Sequence, residues 1–276
     1  MPICLTGDVH HQSLQTEDQC ALDGREPQVA VEYAEIVEKY SLSATLFVTG
    51  RTVDEDPRSV QQISRFEGIE IGGHNYGAFT IPAFPWSGKL FTGYRRLTGN
   101  NCPRWFQNWG IKKTIRRLEN VTQQKVVSWR DHAFHRDDHT YDLLTAAGIQ
   151  YVSDERSPMR ERPYKVQTSN GPITEVPVNV PPDHDHVQHG TFTPPNGWSD
   201  PFSGDTYSGG KWLSKVRNTV ERIDAQDGIV TLLAHPACMA LVDDFDLFER
   251  LCDELSKYET VSMQEVCSTI SSNGGI

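Results

Sequence analysis

The 276-residue sequence predicts an α/β protein: a sheet of parallel strands built from βαβ units and curled into a barrel. Three observations predict it. Short apolar runs alternate with segments whose apolar residues recur at helical spacing. Some seven such runs occur, enough for a sheet that closes on itself. The polar groups Asp8, His10, His74, Arg130 and His235 stand where several of these runs end, and barrel strand ends converge on one mouth.

The elements follow in order. Ile3–Val9 is an apolar strand that delivers Asp8, His10 and His11 at its end. Val29, Tyr33, Ile36, Val37 and Tyr40 mark one helical face, with Pro27 near the helix start. Residues 44–49 form a buried strand, 57–66 a polar helix and 69–74 the next strand. Ile111, Ile115 and Leu118 give a helix, and 126–130 a strand ending in charge. Residues 140–147 are helical and stop at Gly148, a residue suited to the left-handed C-terminal cap. Strands at 149–152 and 173–178 come next. A helix through Leu213, Val216, Val220 and Ile223 precedes the strand 229–235. Leu247, Phe248, Leu251 and Leu255 mark a last helix before a short strand near Thr260. The whole chain, 1–276, reads as one domain with insertions at about 78–110 and 179–210, the latter rich in Pro, Gly, Asp and His. Loops of this length in a compact domain are usually functional.

Composition narrows the function. A net charge of −11 argues against general nucleic-acid binding. No stretch approaches twenty apolar residues, so no membrane span is expected. The start of the chain lacks the pattern of a signal peptide, which leads to the expectation of a cytoplasmic protein. The six cysteines form no CxxC pair and read as reduced thiols. Gly204–Trp212 looks like a phosphate-binding loop, but Trp212 follows the lysine where Ser or Thr is needed, and no buried strand feeds it.

The segments Thr6-Gly7-Asp8-Val9-His10, Gly72-Gly73-His74-Asn75-Tyr76, Trp129-Arg130 and Leu232-Leu233-Ala234-His235-Pro236, with the strand Glu175–Val178, fall in the order and approximate spacing of a known family. They resemble the polysaccharide deacetylases, the NodB-homology or carbohydrate esterase 4 group. The resemblance implies an irregular (β/α)7–8 barrel, a single divalent metal, and hydrolysis of N-acetyl groups or related amides and imides. It implies Asp8 as catalytic base, Arg130 as the arginine that holds it, and His235 as general acid. It implies His10 and His74 as metal ligands, His10 standing where the family has Asp or Glu. An aspartate of the 179–210 segment orients the arginine or the acid histidine, and of Asp183 and Asp185 the choice falls on Asp185. The metal is expected to be zinc, which imidazole suits. The simpler readings are a surface histidine pair at 10–11, an ion pair at Arg130 and a core histidine at 235.

One departure stands out. The family's His-x-x-x-His motif has Ala78 at its second histidine, which leaves the metal short of a ligand. Asp8, Asn75, His11 or a histidine of the 179–210 segment could fill the gap. Two residues after Arg130, the family tends to have proline where this chain has His132. A second metal site from His184, His186 and His189 competes with a plain polar loop. From Ile71 to Leu118 there is no acid but eight Lys or Arg, among many aromatics. This suggests a lid over a sugar with an anionic, phosphate-like part, against the simpler reading of a satellite core. Tyr76, Trp86 and Arg95 are the candidate substrate contacts. The expected function is N-deacetylation of an amino-sugar or glycan precursor in surface-glycan (O-antigen type) assembly. The alternatives are a cyclic amide or imide hydrolase, or a carbohydrate-binding relative without metal.

Overall fold

The structure, a computed structural model, describes residues 1–78, 90, 93–94, 97–98, 100–190, 192–193 and 200–266. Its strands are β1 (Pro2–Val9), β2 (Ala44–Val48), β3 (Ile69–Gly73), β4 (Ser128–Trp129), β5 (Tyr151–Val152), β6 (Tyr164–Thr168), β7 (Gly171–Glu175), β8 (Val230–Leu233) and β9 (Glu259–Thr260). The helices described are α1 (Glu17–Ala21), α2 (Glu26–Lys39), α3 (Gly50–Glu55), α4 (Pro57–Ile63), α5 (Arg104–Thr122), α6 (Thr140–Ala146), α7 (Asp183–His186), α8 (Gly209–Asp224), α9 (Pro236–Asp243) and α10 (Asp246–Leu255).

The strands form one sheet in the order β6-β7-β5-β4-β3-β2-β1-β8, with β9 also paired to β1. Every pairing is parallel except the β6–β7 hairpin. β1 is buried along its full length because it lies between β2 and β8 with helices over it, which is why its sequence is a continuous apolar run. Between the two ends of the described sheet no strand ladder runs. Instead Asn179, just past β7, spans the gap with its side chain. It accepts from Thr231 N–H at 2.9 Å and donates to Ile229 O at 2.8 Å and Arg160 O at 3.0 Å. Its own N–H reaches Thr231 O at 3.2 Å. Ile229 N–H adds a bond to Glu161 O at 2.7 Å, so the barrel-like curl is drawn in by a buried amide and a few backbone bonds rather than by a full pair of strands.

The core lies between the outer face of the sheet and the helices. Tyr33 of α2 stacks on Phe248 of α10, their ring centres 4.0 Å apart, and Leu5, Leu46, Leu118 and Trp212 are buried around them. Gly73 matters to the site. A Cβ there would stand 2.3 Å from the Trp129 ring, so glycine lets β4 close onto β3 and brings Arg130 beside His74. Asn179→Ala should leave two buried backbone groups and one half-buried carbonyl without this partner and lower unfolding stability by about 3 kcal/mol. Urea unfolding measures this as a lower midpoint at an unchanged slope.

Candidate active site

β1, β3, β4 and β8 end at one mouth, a cavity of about 570 Å³ lined by Asp8, His10, His74, His132, His184 and His235 among others. Arg130 leaves β4 into the barrel interior and is fully buried. Its Nη1 donates to Asp8 Oδ1 at 3.0 Å, its Nη2 to Thr6 Oγ1 at 3.0 Å and Ser153 Oγ at 2.8 Å, and its Nε to Ser153 O at 3.0 Å. The rings of Phe47 and Phe134 lie 4.5 and 5.6 Å from the guanidinium carbon. Burial alone would favour a neutral Asp8, but Arg130, with the histidines around it, holds the carboxyl below the ordinary carboxylate range.

Asp8 Oδ2 faces two imidazoles. His74 Nε2 stands 3.8 Å away and His235 Nε2 3.7 Å away. His235 is fixed by Asp183, whose carboxylate accepts from His235 N–H at 2.6 Å and from Nδ1–H at 2.7 Å. Burial opposes charge on the His235 ring, but Asp183 and Asp8 outweigh it and raise the pKa to about 9. Asp183 is thus the aspartate that holds His235. Asp185, the residue expected there, points the other way and pairs with Arg156 at 2.7 Å. Both lie on α7, a helix of four residues, where positions two apart face different directions.

His10, His74 and His132 gather at the same mouth, each offering a ring nitrogen within 4.8 Å of the others. His74 Nδ1–H donates to Arg130 O at 2.9 Å, and His10 Nδ1–H to the Glu26 carboxylate at 3.0 Å. In both rings this leaves Nε2 for the cluster, the arrangement of metal-ligating histidines held by outer partners. Burial, with the neighbouring His10 and Arg130 charges, lowers the His74 pKa to about 3 against the pull of Asp8. Burial and the other two histidines push His132 well below its ordinary value. Neutral imidazoles are what a cation needs. His132 Nδ1 and His74 Nε2 are 3.3 Å apart, about the separation of two nitrogens on one tetrahedral zinc. The trio fits a divalent metal with room for a further ligand.

His132 is the third member that the sequence left unnamed. The candidates weighed for it lie elsewhere or are engaged. His11 is buried with Nδ1 3.2 Å from Thr49 Oγ1. Asn75 accepts from His132 N–H at 2.6 Å and donates to Asp131 at 2.7 Å. His184 and His189 belong to another cluster. The His-x-x-x-His spacing has no helix to act on here. Asn75 and Ala78 have φ of 56° and 48°, so the segment turns rather than continuing as a helix. His132 sits in a tight turn after β4 in which Ala133 and Phe134 both adopt left-handed φ, 54° and 57°, which costs roughly 1–2 kcal/mol each. The sequence signal for it was the histidine two residues after Arg130. Glu26 was missed altogether, because an acid in a helix's first turn normally serves the helix dipole. Here it also accepts His10 N–H at 2.8 Å and Gln19 Nε2 at 2.7 Å.

Below Arg130, Asp131, Asp154 and Glu175 are buried together. Burial first, then mutual repulsion for Asp131 and Glu175, raises Asp131 well above its ordinary value and Glu175 to about 8; Asp154 rises to about 6. Tyr76, expected at the substrate, lies in the wall instead: it is buried, its hydroxyl donates to Asp54 at 2.5 Å, and Lys113 Nζ sits 3.8 Å from its ring centre. Lys113 and Arg117 of the basic segment are both turned toward Asp54. Trp86 and Arg95 lie outside the described residues.

The family model of the polysaccharide deacetylases matches residues 15–152, half of the chain, and the chain belongs to that family. Members of the family are generally metal-dependent hydrolases. No curated protein matches the sequence. Among solved structures, a putative polysaccharide deacetylase from Mycobacterium smegmatis superposes with a TM-score of 0.73 at 18% identity, over 98% of this chain and 91% of its own. A probable polysaccharide deacetylase from Pseudomonas aeruginosa PAO1 gives 0.67 at 12% identity, over 96% and 90%. Puue allantoinase gives 0.62 at 11% identity, over 95% and 86%. At these identities the likeness establishes the fold. Among the described residues no helix is long and apolar enough to cross a membrane.

The Asp183–His235 pair generates a pH prediction. Because the His235 pKa is raised on folding, its contribution to stability is full below about pH 6.5 and is lost as pH rises through about 9. Asp183→Asn should bring the ring's pKa down to or below the ordinary histidine value, followed by NMR titration of the His235 ring proton. The variant's stability deficit should be larger at pH 6 than at pH 10.

Proposed function

We propose that the protein is a metal-dependent amide hydrolase that removes the N-acetyl group from an amino sugar in a glycan precursor. The observation that carries this reading is the setting of Asp8. One of its oxygens is tied to Arg130, and the other faces the histidine trio on one side and His235 on the other at 3.8 and 3.7 Å. A water and an amide placed there would meet a base, an acid and a cation site at once.

A divalent ion held by His10, His74 and His132, in our reading zinc, supplies Lewis-acid polarisation of the amide carbonyl and acidifies the water that a carboxylate as weakly basic as Asp8 must deprotonate. Asp8 accepts the water's proton, and Arg130 keeps its oxygen aimed. The C–O bond forms at the carbonyl carbon and the C–N bond breaks. His235, protonated at neutral pH on the strength of Asp183, gives its Nε2 proton to the departing nitrogen. The products are acetate and a free amine. Phe134, Phe192 and Leu233 line the mouth and suit an acyl methyl group. A phosphate-bearing tail on the sugar would draw on the cations of 78–117 other than Lys113 and Arg117. The binding-only alternative rested on Ala78; the nearness of His132 to His10 and His74 supports the metal-dependent reading instead.

Asp8→Asn should lower acetate release from N-acetylated amino sugars by a hundredfold or more while leaving bound metal in place. It should also cost about 3 kcal/mol of stability, because Arg130 loses its counter-charge, so the assay belongs at 20 °C with folding checked by circular dichroism. Acetate release at the wild-type rate would sink the base assignment. Metal analysis of His74→Ala and His132→Ala should each show loss of one equivalent. If the purified enzyme opens cyclic amides or imides and leaves N-acetyl sugars untouched, the substrate class is wrong while the metal and base assignments stand.

A further inference from the structure

A second cluster of ligating groups borders the same cavity. Asp18 of α1, His184 of α7, His189 and Cys238 of α9 each bring a ligand atom within 4.8 Å of the others. His186, which the sequence suggested for such a site, is absent from it: it is buried, with Nδ1 2.8 Å from Asp205 O and Nε2 3.3 Å from Asp200. The sequence puts 220 positions between Asp18 and Cys238, so neither could be linked to the histidines from the chain alone.

The distances are those of one coordination sphere. Asp18 Oδ2 stands 3.2 Å from His184 Nδ1, and Asp18 Oδ1 3.2 Å from His189 Nε2. Cys238 Sγ stands 3.6 Å from His184 Nδ1, 3.5 Å from His189 Nε2 and 3.9 Å from Asp18 Oδ2. On a tetrahedral zinc of ordinary bond lengths, neighbouring ligand atoms lie roughly 3.3–3.7 Å apart. An ion-pair network accounts for a carboxylate between two imidazoles. It does not account for a buried sulfur set within 3.6 Å of both rings. His189 Nδ1–H donates to Val187 O at 2.7 Å, which turns Nε2 into the cluster. Asp18 is held by a capping box at the start of α1, in which Thr16 and Gln19 exchange two 3.1 Å hydrogen bonds.

We propose that Asp18, His184, His189 and Cys238 bind a second metal ion, a zinc-type divalent cation, in a closed four-ligand site. A thiolate with two imidazoles selects zinc over magnesium, calcium or manganese. Four protein ligands leave no open position, so this ion is structural, unlike that of the three-histidine site. It ties α1 and α9 to the segment that carries α7. His184 directly follows Asp183, so the ion also steadies the carboxylate that orients His235.

The sulfur gives the test a readout independent of catalysis. Full-length protein stripped of metal and reloaded with zinc should take up two equivalents. Loaded with cobalt(II), it should show a thiolate-to-cobalt charge-transfer band in the near ultraviolet, which a histidine-only site cannot produce. Cys238→Ser should lose that band and one equivalent. His189→Ala, which keeps the thiol, should also lose one equivalent. The double variant His10→Ala/His74→Ala should keep the band and lose the other equivalent. Cobalt-loaded wild-type protein without the band, or a band that survives Cys238→Ser, overturns the proposal. If the double variant loses no metal while the band remains, the three-histidine site fails and this one stands.

Discussion

The ion pair between Arg130 and Asp8 is the constraint on which the rest of the structure depends. A fully buried guanidinium must have its N–H groups matched, and here it meets a carboxylate, two hydroxyls and a carbonyl drawn from β1 and from Ser153, just past β5. Such a pair adds little net stability, since the desolvation of both charges is comparable to their attraction. What it provides is geometry. It fixes which oxygen of Asp8 faces the mouth, and it couples the register of β1 to that of β4 across the barrel. The carboxyl groups of Asp131 and Glu175 are driven toward the neutral form by burial and then by the charge of Asp154.

Around that pair, the histidines divide by their second partner. His74 and His10 give Nδ1–H to a carbonyl and to a carboxylate, and burial keeps His74 neutral, so its free nitrogen is a lone pair. His235 gives Nδ1–H to Asp183 and is held charged, so its free nitrogen carries a proton. The same side chain is thus held neutral or charged according to the charge placed behind it and the depth of its burial. His132 reaches the first group through a turn with two successive left-handed residues, an expense that its hydrogen bond to Asn75 and the packing of Phe134 against Arg130 help to offset.

Much of this was legible in the chain. The apolar runs that became β1, β2, β3 and β8 are continuous because both faces of a parallel sheet are covered, and the groups at their ends were visible as Asp8, His10, His74 and His235. The hairpin strand β6 was not read, since Tyr164–Thr168 alternates half-buried and exposed residues at the sheet's edge and carries no apolar run. α9 was hidden behind the strand that feeds it. Asp183 and Asp185 could not be told apart, because two acids two positions apart differ only in which way a short helix turns them.

By itself the sequence determined the order of the strands along the chain, the βαβ repetition and the placing of Asp8, Arg130 and His235 at strand ends, because each sits directly at the end of a run whose burial is written in its composition. Only the tertiary structure decided what joins them. His132 meets His74 across neighbouring strands, Glu26 meets His10 from a helix, and Cys238 meets Asp18 from the far end of the chain. Contacts of that kind depend on how far a sheet curls and which way a turn points. Those are set by packing between distant segments, and no local pattern of residues records them.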